Sequence, residues 1–328
     1  MSAAAPAGGL ARGGPPGGGS GAGQAEGGAT RPRLSVVIPT LNRGRLLHDT
    51  VRQVLAQRLR EIELWVIDQS DPAQRAANEA FVAELADPRL RYLHLPVKGL
   101  PNARNEGIVR VGAEIVLFLD DDVILLEEGF LDAHLAPYGD PAVGGVPGRI
   151  VERSVRPNAR DTASHLSPGG RTITNLWGTE ARDIETLKGA NMSYRMAAVR
   201  QVGGFDRRYA GTALLEDSDY STRVAAAGWR LRYEPRCELV HLSAPTGGVR
   251  VEDALRYEVW RFRSTAYFQL KHRGPGGFAA YCGAFGLIAA SRAARWRAPA
   301  AVGPLVKAAA DGVRDWRAGP DDALPALP

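Results

Sequence analysis

The chain has 328 residues, 45% of them hydrophobic and 23% charged, and a formal net charge of +5. That length allows one large domain or two small ones, and the apolar share is ordinary for a globular chain. Cys237 and Cys282 are the only cysteines, which excludes a disulfide framework and a cysteine-rich zinc site and fits a reducing compartment. The mild basicity agrees with an anionic ligand or a membrane surface, and nothing suggests base-reading of nucleic acid.

Residues 1–32 are mostly Gly, Ala and Pro. They cannot bury a core and are predicted to form a disordered tail. They lack a charged stretch followed by an apolar one, so no secretory signal is expected. No run of about 18 apolar residues follows, so no bilayer-spanning helix is expected either; the nearest candidate, residues 277–290, is too short.

From Arg33 the pattern alternates strand and helix. Leu34 to Ile38 reads as a strand ended by Pro39, and Leu46 to Leu59 as an amphipathic helix. Ile62 to Ile67 reads as a second strand ending at Asp68, and Asn78 to Ala86 as a second helix. Leu90 to Leu95 is predicted as a third strand, Asn102 to Val111 as a third helix, and Ile115 to Leu119 as a fourth strand, short, β-branched and apolar. Such alternation predicts an α/β fold with a mostly parallel sheet flanked by helices.

The fourth strand runs into Asp120, Asp121 and Asp122. Unpaired carboxylates are costly to bury, so the triplet should project from the strand's C-terminal end, where open α/β sheets bind ligands. Hard oxygen donors there suit Mg²⁺ or Mn²⁺ bridged to phosphate; a helix-start cap is the plain alternative. Polar residues also follow the other strands: Pro39, Thr40, Asn42 and Arg43 after the first, Asp68 and Asp71 after the second, Asn102, Arg104 and Asn105 after the third. Each alone reads equally well as a turn or cap residue. Four clusters at successive strand ends point to one site. The first loop lacks the glycine fingerprint of a dinucleotide-binding domain.

The segments Val36–Arg43, Val66–Asp68, Gly99–Asn105, Phe118–Asp122, Lys188–Arg195, Val202–Asp206 and Glu216–Asp217, with Arg223, Gly228 and His241, follow one another in an order that resembles glycosyltransferase family 2. The resemblance covers Leu34 to His241 and implies a GT-A fold and transfer of a sugar from a nucleotide-diphospho-sugar (UDP-, GDP- or dTDP-linked) to an acceptor hydroxyl on a glycan, a lipid-linked saccharide or a small molecule. It implies that Asp120 and Asp122, with His241, hold Mg²⁺ or Mn²⁺, and that Pro39, Thr40, Arg43, Asp68, Asn102, Arg104, Asp120 and Asp121 meet the nucleotide sugar. A structural ion pair is the alternative for Arg104. Gly189, Ala190 and Asn191 are expected to border the donor sugar and acceptor. Asp217, with Glu216 beside it, matches the catalytic base of inverting members, and Asp219 ranks below them. Without the resemblance these carboxylates read as acidic residues favoured at a helix N-terminus, here ahead of a helix from Tyr220 to Ala227.

The expected organisation is a tail over residues 1–32, a GT-A domain over 33–245 and a helical extension over 246–328. Arg250 to Lys307 holds ten Lys or Arg against three Asp or Glu, interleaved with aromatics. This pattern suits either a helical cap with a solvated basic face or an interfacial membrane contact. Processive members add membrane spans and a Gln-x-x-Arg-Trp motif; Arg295–Trp296 has no such glutamine, so the resemblance implies addition of a single sugar by a cytoplasmic protein, peripheral on the inner membrane face if it touches membrane at all. A non-catalytic sugar-nucleotide binder and a nucleotidyltransferase are the rival readings.

Overall fold

The structure is a computed structural model describing residues 31–152, 164–166, 172–175, 177–249 and 253–326. Nearly all of the expected tail lies outside the described residues. The elements in chain order are β1 (Leu34–Thr40), α1 (Arg45–Ala56), β2 (Ile62–Asp68), α2 (Pro72–Leu85), β3 (Leu90–His94), α3 (Leu100–Ile108), β4 (Ile115–Leu119), β5 (Val123–Leu125), α4 (Phe130–Leu135) and β6 (Val143–Glu152). A small ribbon, β7 (His165–Leu166) and β8 (Thr172–Ile173), precedes β9 (Arg182–Ile184), β10 (Asn191–Arg195), α5 (Met196–Val202), α6 (Glu216–Ala226) and β11 (Arg230–His241). Two helices follow, α7 (Ala254–Arg295) and α8 (Val302–Arg317).

The main sheet has the order β3-β2-β1-β4-β10-β6-β11-β5, with β9 also on β11. Strands β1 to β4, β6 and β11 share one direction, and β10 runs antiparallel between β4 and β6. The mostly parallel, helix-flanked sheet expected from the sequence is therefore present. Period-two alternation sorts its side chains onto two faces. Leu34, Val36, Ile38, Leu117 and Leu119 join α1, α2 and α4 in one core. Val37, Val116 and Phe118 join α3, α5 and α6 in the other. Both faces of β4 are covered, which is why it reads as an unbroken apolar run.

Several boundaries differ from the sequence reading. Strand β1 continues through Pro39 to Thr40, because the β4 ladder has already ended at Val37 and a missing N–H costs nothing on that side. Helix α2 begins at Pro72, well before Asn78, with Pro in its first turn after Asp71, a start signal in itself. Helix α6 starts at Glu216, so the acidic pair lies inside its first turn instead of ahead of it.

Helix α7 is bent at Gly274, whose φ of 64° and ψ of −169° break the helix just before Pro275. Its first half is joined to α6 by buried charges. Lys271 Nζ lies 2.6 Å from Asp206 Oδ2 and 2.8 Å from Asp219 Oδ1. Asp219 also meets His272 at 2.8 Å and Arg223 at 3.0 Å, and the Tyr267 hydroxyl donates to Asp206. Gly211, with φ of +65°, packs on the Trp260 ring of α7, where a Cβ would fall 2.1 Å from the indole.

Burial alone would raise Asp206 and Asp219, but Lys271, His272 and Arg223 outweigh it and hold both below the usual carboxylate range. The stability they confer is thus present above the unfolded-state value near 4 and is lost as pH falls through the lower folded-state values. Replacing Lys271 by Met leaves two buried carboxylates short of a counter-charge. We expect a loss of about 3 kcal/mol in urea unfolding at pH 7, with an unchanged m-value, and a smaller loss at acid pH.

Candidate active site

Residues from several chain segments meet beyond the C-terminal end of β4. Asp122 is buried and Asp120 half-buried. One ligand atom from each, with one from His241, lies within 4.8 Å of the others. His241 closes β11 and reaches the cluster because β11 pairs with β5, setting His241 against Val123. Its Nε2 is 3.1 Å from Asp122 Oδ1 and 3.5 Å from Asp120 Oδ2. Burial works against the charged imidazole, but Asp122, Glu152 and Asp120 outweigh it and raise His241 to about 10. Asp122 Oδ2 accepts from the Ala244 amide at 2.8 Å, whereas Oδ1, though close to His241, is buried without a directed hydrogen bond. Two carboxylates, one of them with an orphaned buried oxygen, and an imidazole form a donor set that suits a divalent cation.

The middle aspartate turns the other way. Asp121 Oδ2 accepts from the Thr40 hydroxyl at 2.6 Å, and Arg43 spans Asp121 Oδ1 at 3.4 Å and Asp122 Oδ2 at 3.2 Å. Burial pushes Asp121 up to about 7 against the pull of Arg43 and Thr40. Pro39, Thr40, Leu41, Arg43 and Gln69 line a narrow cleft of about 70 Å³ beside the triplet. The Gly248 amide donates to the Leu41 carbonyl at 2.7 Å and closes that cleft from above. Gln69 belongs to the polar cluster that follows the second strand, whereas Gly248 carries no motif of its own and was not legible in the sequence.

Asp68 ends β2 and is fully buried. Its oxygens accept from the Ser70 amide at 2.7 Å, Asn78 at 2.8 Å and the Tyr92 hydroxyl at 2.7 Å. Asn102 spends its amide on the Lys98 carbonyl of its own loop. Asn191 is turned into the core, donating to the Cys237 carbonyl and hydrogen-bonded to His134. Its neighbours Gly189 and Ala190 stay at the site, and the Ala190 carbonyl accepts from the Asp120 amide.

Arg104 is 1% exposed. It pairs with Glu216, donates to the Gly189 carbonyl at 3.2 Å and faces Asp120 at 3.8 Å. The alternative of a structural ion pair is what its geometry favours. A Cβ on Gly189 would sit 2.8 Å from the guanidinium, so glycine is what allows the loop to approach it. Burial opposes the Arg104 charge, but Glu216 and Asp120 hold it protonated. Asp217 is half-buried and accepts from the Gly189 amide at 2.8 Å and the Ser218 amide at 2.6 Å. Burial raises its carboxyl above the ordinary value, against Arg104 and those amides. Asp219 is committed to the α7 network described above.

The sequence reading missed Glu152, at the end of β6. Its Oε1 lies 3.0 Å from His241 Nδ1 and 2.6 Å from Lys188 Nζ. Nothing local marks it; only the pairing of β6 with β11 places it opposite His241.

If Arg104 works through Glu216, Arg104→Met should cost about 3–5 kcal/mol by stranding a buried carboxylate. The double variant Arg104→Met with Glu216→Met should recover most of that loss in denaturant unfolding. Equal losses in the single and double variants would contradict the pairing.

The sequence model of the family described as Glycosyl transferase family 2 matches residues 35–203. A pre-mycofactocin glycosyltransferase of Mycobacterium tuberculosis is 34% identical over 214 residues, covering 63% of this chain and 42% of the relative. An N-acetylglucosaminyl-diphospho-decaprenol L-rhamnosyltransferase of Mycobacterium tuberculosis is 33% identical over 138 residues, 37% of this chain and 44% of the relative. The chain thus spans less than half the length of these curated relatives. Among solved structures, a mannosyltransferase from Pyrobaculum calidifontis in complex with GDP-Man and Mn²⁺ superposes with a TM-score of 0.54 at 18% identity, covering 87% of this chain and 88% of the other. S. aureus TarS in complex with UDP-GlcNAc superposes with a TM-score of 0.53 at 15% identity, covering 74% and 67%. The fold is that of these transferases, and the chain belongs to glycosyl transferase family 2.

Proposed function

We propose that this chain transfers one sugar from a nucleotide-diphospho-sugar to an acceptor hydroxyl, with inversion and without processive extension. The observation that carries the reading is the chain of contacts from the Asp120–Asp122–His241 donor set to the Asp217 carboxylate: Arg104 faces Asp120 and donates to the Gly189 carbonyl, and the Gly189 amide donates to Asp217. The nucleotide sugars bound by both similar structures support it. Asp120, Asp122 and His241 would hold a divalent cation, Mg²⁺ or Mn²⁺, whose charge would neutralise the diphosphate leaving group. Thr40, Arg43 and Gln69 border the nucleoside end. A nucleotide sugar needs several times the about 70 Å³ present, so the Gly247–Gly248 segment has to be displaced on binding. Residues 33–245 are read as the catalytic GT-A domain and 246–328 as its helical extension.

In the proposed reaction the acceptor oxygen attacks the anomeric carbon as its proton passes to Asp217. The bond to the diphosphate breaks on the opposite face, and the nucleoside diphosphate leaves with the electron pair. The Gly189 and Ser218 amides orient Asp217, and its burial makes it a stronger base than an exposed aspartate. Asp217→Asn should lower turnover by about 10²–10⁴-fold and spare donor affinity, with Glu216→Gln costing less. The acid limb of the rate profile should lie above the ordinary aspartate value, because the carboxyl is raised and must be ionised to act. NMR of the product's anomeric centre should show inversion; retention, or near-normal turnover by Asp217→Asn, would remove the mechanism.

The extension supports a membrane-surface location at the cytoplasmic face. Residues 274–291 include no Asp, Glu, Lys, Arg or His. Phe285, Ile288 and Ala289 pack on Phe262 and Leu305, while Ala280, Gly283 and Ala290 are exposed and Leu287 is 76% exposed. Arg273, Arg295 and Arg297 flank this face. Among the described residues no helix is long and apolar enough to cross a membrane, so the proposed partner is the surface of an anionic bilayer. A lipid-linked acceptor fits that location, and the diphospho-decaprenol in the name of one relative supports it. The protein should float with anionic phospholipid vesicles, leave them in about 0.5 M salt, and lose binding on Leu287→Glu. Failure to bind anionic vesicles at low salt would favour a plain helical cap.

A further inference from the structure

We propose that Glu152 is a positioning residue that fixes His241 toward the cation site and ties that site to the loop holding Asp217. The inference rests on the reading of Asp120, Asp122 and His241 as cation ligands. Strands β6 and β11 run parallel with Glu152 opposite His241, so the two side chains leave the sheet together at its C-terminal edge. His241 Nδ1 lies 3.0 Å from Glu152 Oε1, and Nε2 faces Asp122 and Asp120. An imidazole that donates through Nδ1 to a carboxylate presents its Nε2 lone pair to a metal, with the ring held against rotation. Among the described residues, the Ser243 hydroxyl, 3.2 Å from Nδ1, is its other hydrogen-bond neighbour.

The same Glu152 oxygen meets Lys188 Nζ at 2.6 Å. Lys188 precedes Gly189, whose amide donates to Asp217 and whose carbonyl accepts from Arg104. Arg104 faces Asp120 in turn. Glu152 therefore closes a ring of contacts that runs from the cation ligands to the base and back. Its two arms differ in weight. The Lys188 side chain is 41% exposed, so water screens that pair. The His241 ring is 10% exposed, and its contact is the one that orients a ligand.

The test is Mn²⁺ binding to the full chain, followed by electron paramagnetic resonance without donor present, on wild type, Glu152→Gln, Glu152→Ala, Lys188→Met and Asp122→Ala. Glu152→Ala should weaken Mn²⁺ by about 10–100-fold, the usual effect of losing such an outer partner. Glu152→Gln, which can still accept from Nδ1, should lose less, and Lys188→Met least. Nitrogen-15 spectra of the His241 ring with Mg²⁺ should show one Nδ1-protonated form in wild type and a mixture in Glu152→Ala, a change that loss of packing alone does not produce. If Glu152→Ala fails to fold, the Glu152→Gln affinity and ring spectra decide the matter. If Asp122→Ala loses Mn²⁺ while the Glu152 variants keep wild-type affinity and ring form, the Glu152 role is overturned and the cation site stands. If Asp122→Ala binds Mn²⁺ as wild type does, the cation site falls and the Glu152 role with it.

Discussion

The carboxylates of Asp120, Asp121, Asp122, Glu216 and Asp217 lie buried or half-buried at one edge of the sheet. Two like charges 4 Å apart near a protein surface repel by about 4 kcal/mol. An edge so loaded needs compensation built into the fold. Without a bound metal, three cations supply it from distant parts of the chain: Arg43 against Asp121 and Asp122, protonated His241 against Asp120 and Asp122, and Arg104 against Glu216 and Asp120. Each arrives by a different element: the loop after β1, the end of β11 and helix α3. The strand order that sets β1 beside β4, and the pairing of β11 with β5, are what bring these charges to one place. In the proposed reading, the charge left at Asp120 and Asp122 makes the edge a place for a divalent cation.

This dependence explains which parts of the molecule were legible in the sequence. β4 was readable because both its faces are buried, and an unbroken apolar run has few other uses. Its aspartates were readable because unpaired carboxylates are costly to bury, although Asp121 and Asp122 stay buried against Arg43 and His241. The start of α2 lies at Pro72, a local signal that outweighed the later apolar pattern. The route of β1 past Pro39 depended on where its neighbour stops, which no local pattern encodes.

The site itself was legible by residue type more than by role. Arg104 and Asn191 occupy matched positions, yet burial commits one to Glu216 and the other to the Cys237 carbonyl and His134. Glu152 and Gly248 were invisible because their partners lie far away in sequence and only register brings them close. The helical extension is more than an appendage, since Lys271 and His272 reach Asp219 on the helix that begins with Glu216 and Asp217.

The central claim is that the charge at the end of β4 holds a divalent cation. Anomalous diffraction from crystals grown with Mn²⁺ and a nucleoside diphosphate tests it directly. The account predicts a manganese peak within coordination distance of Asp120, Asp122 and His241 Nε2, beside the diphosphate. A diphosphate bound in the cleft with no such peak, or with manganese held by other residues, would contradict it.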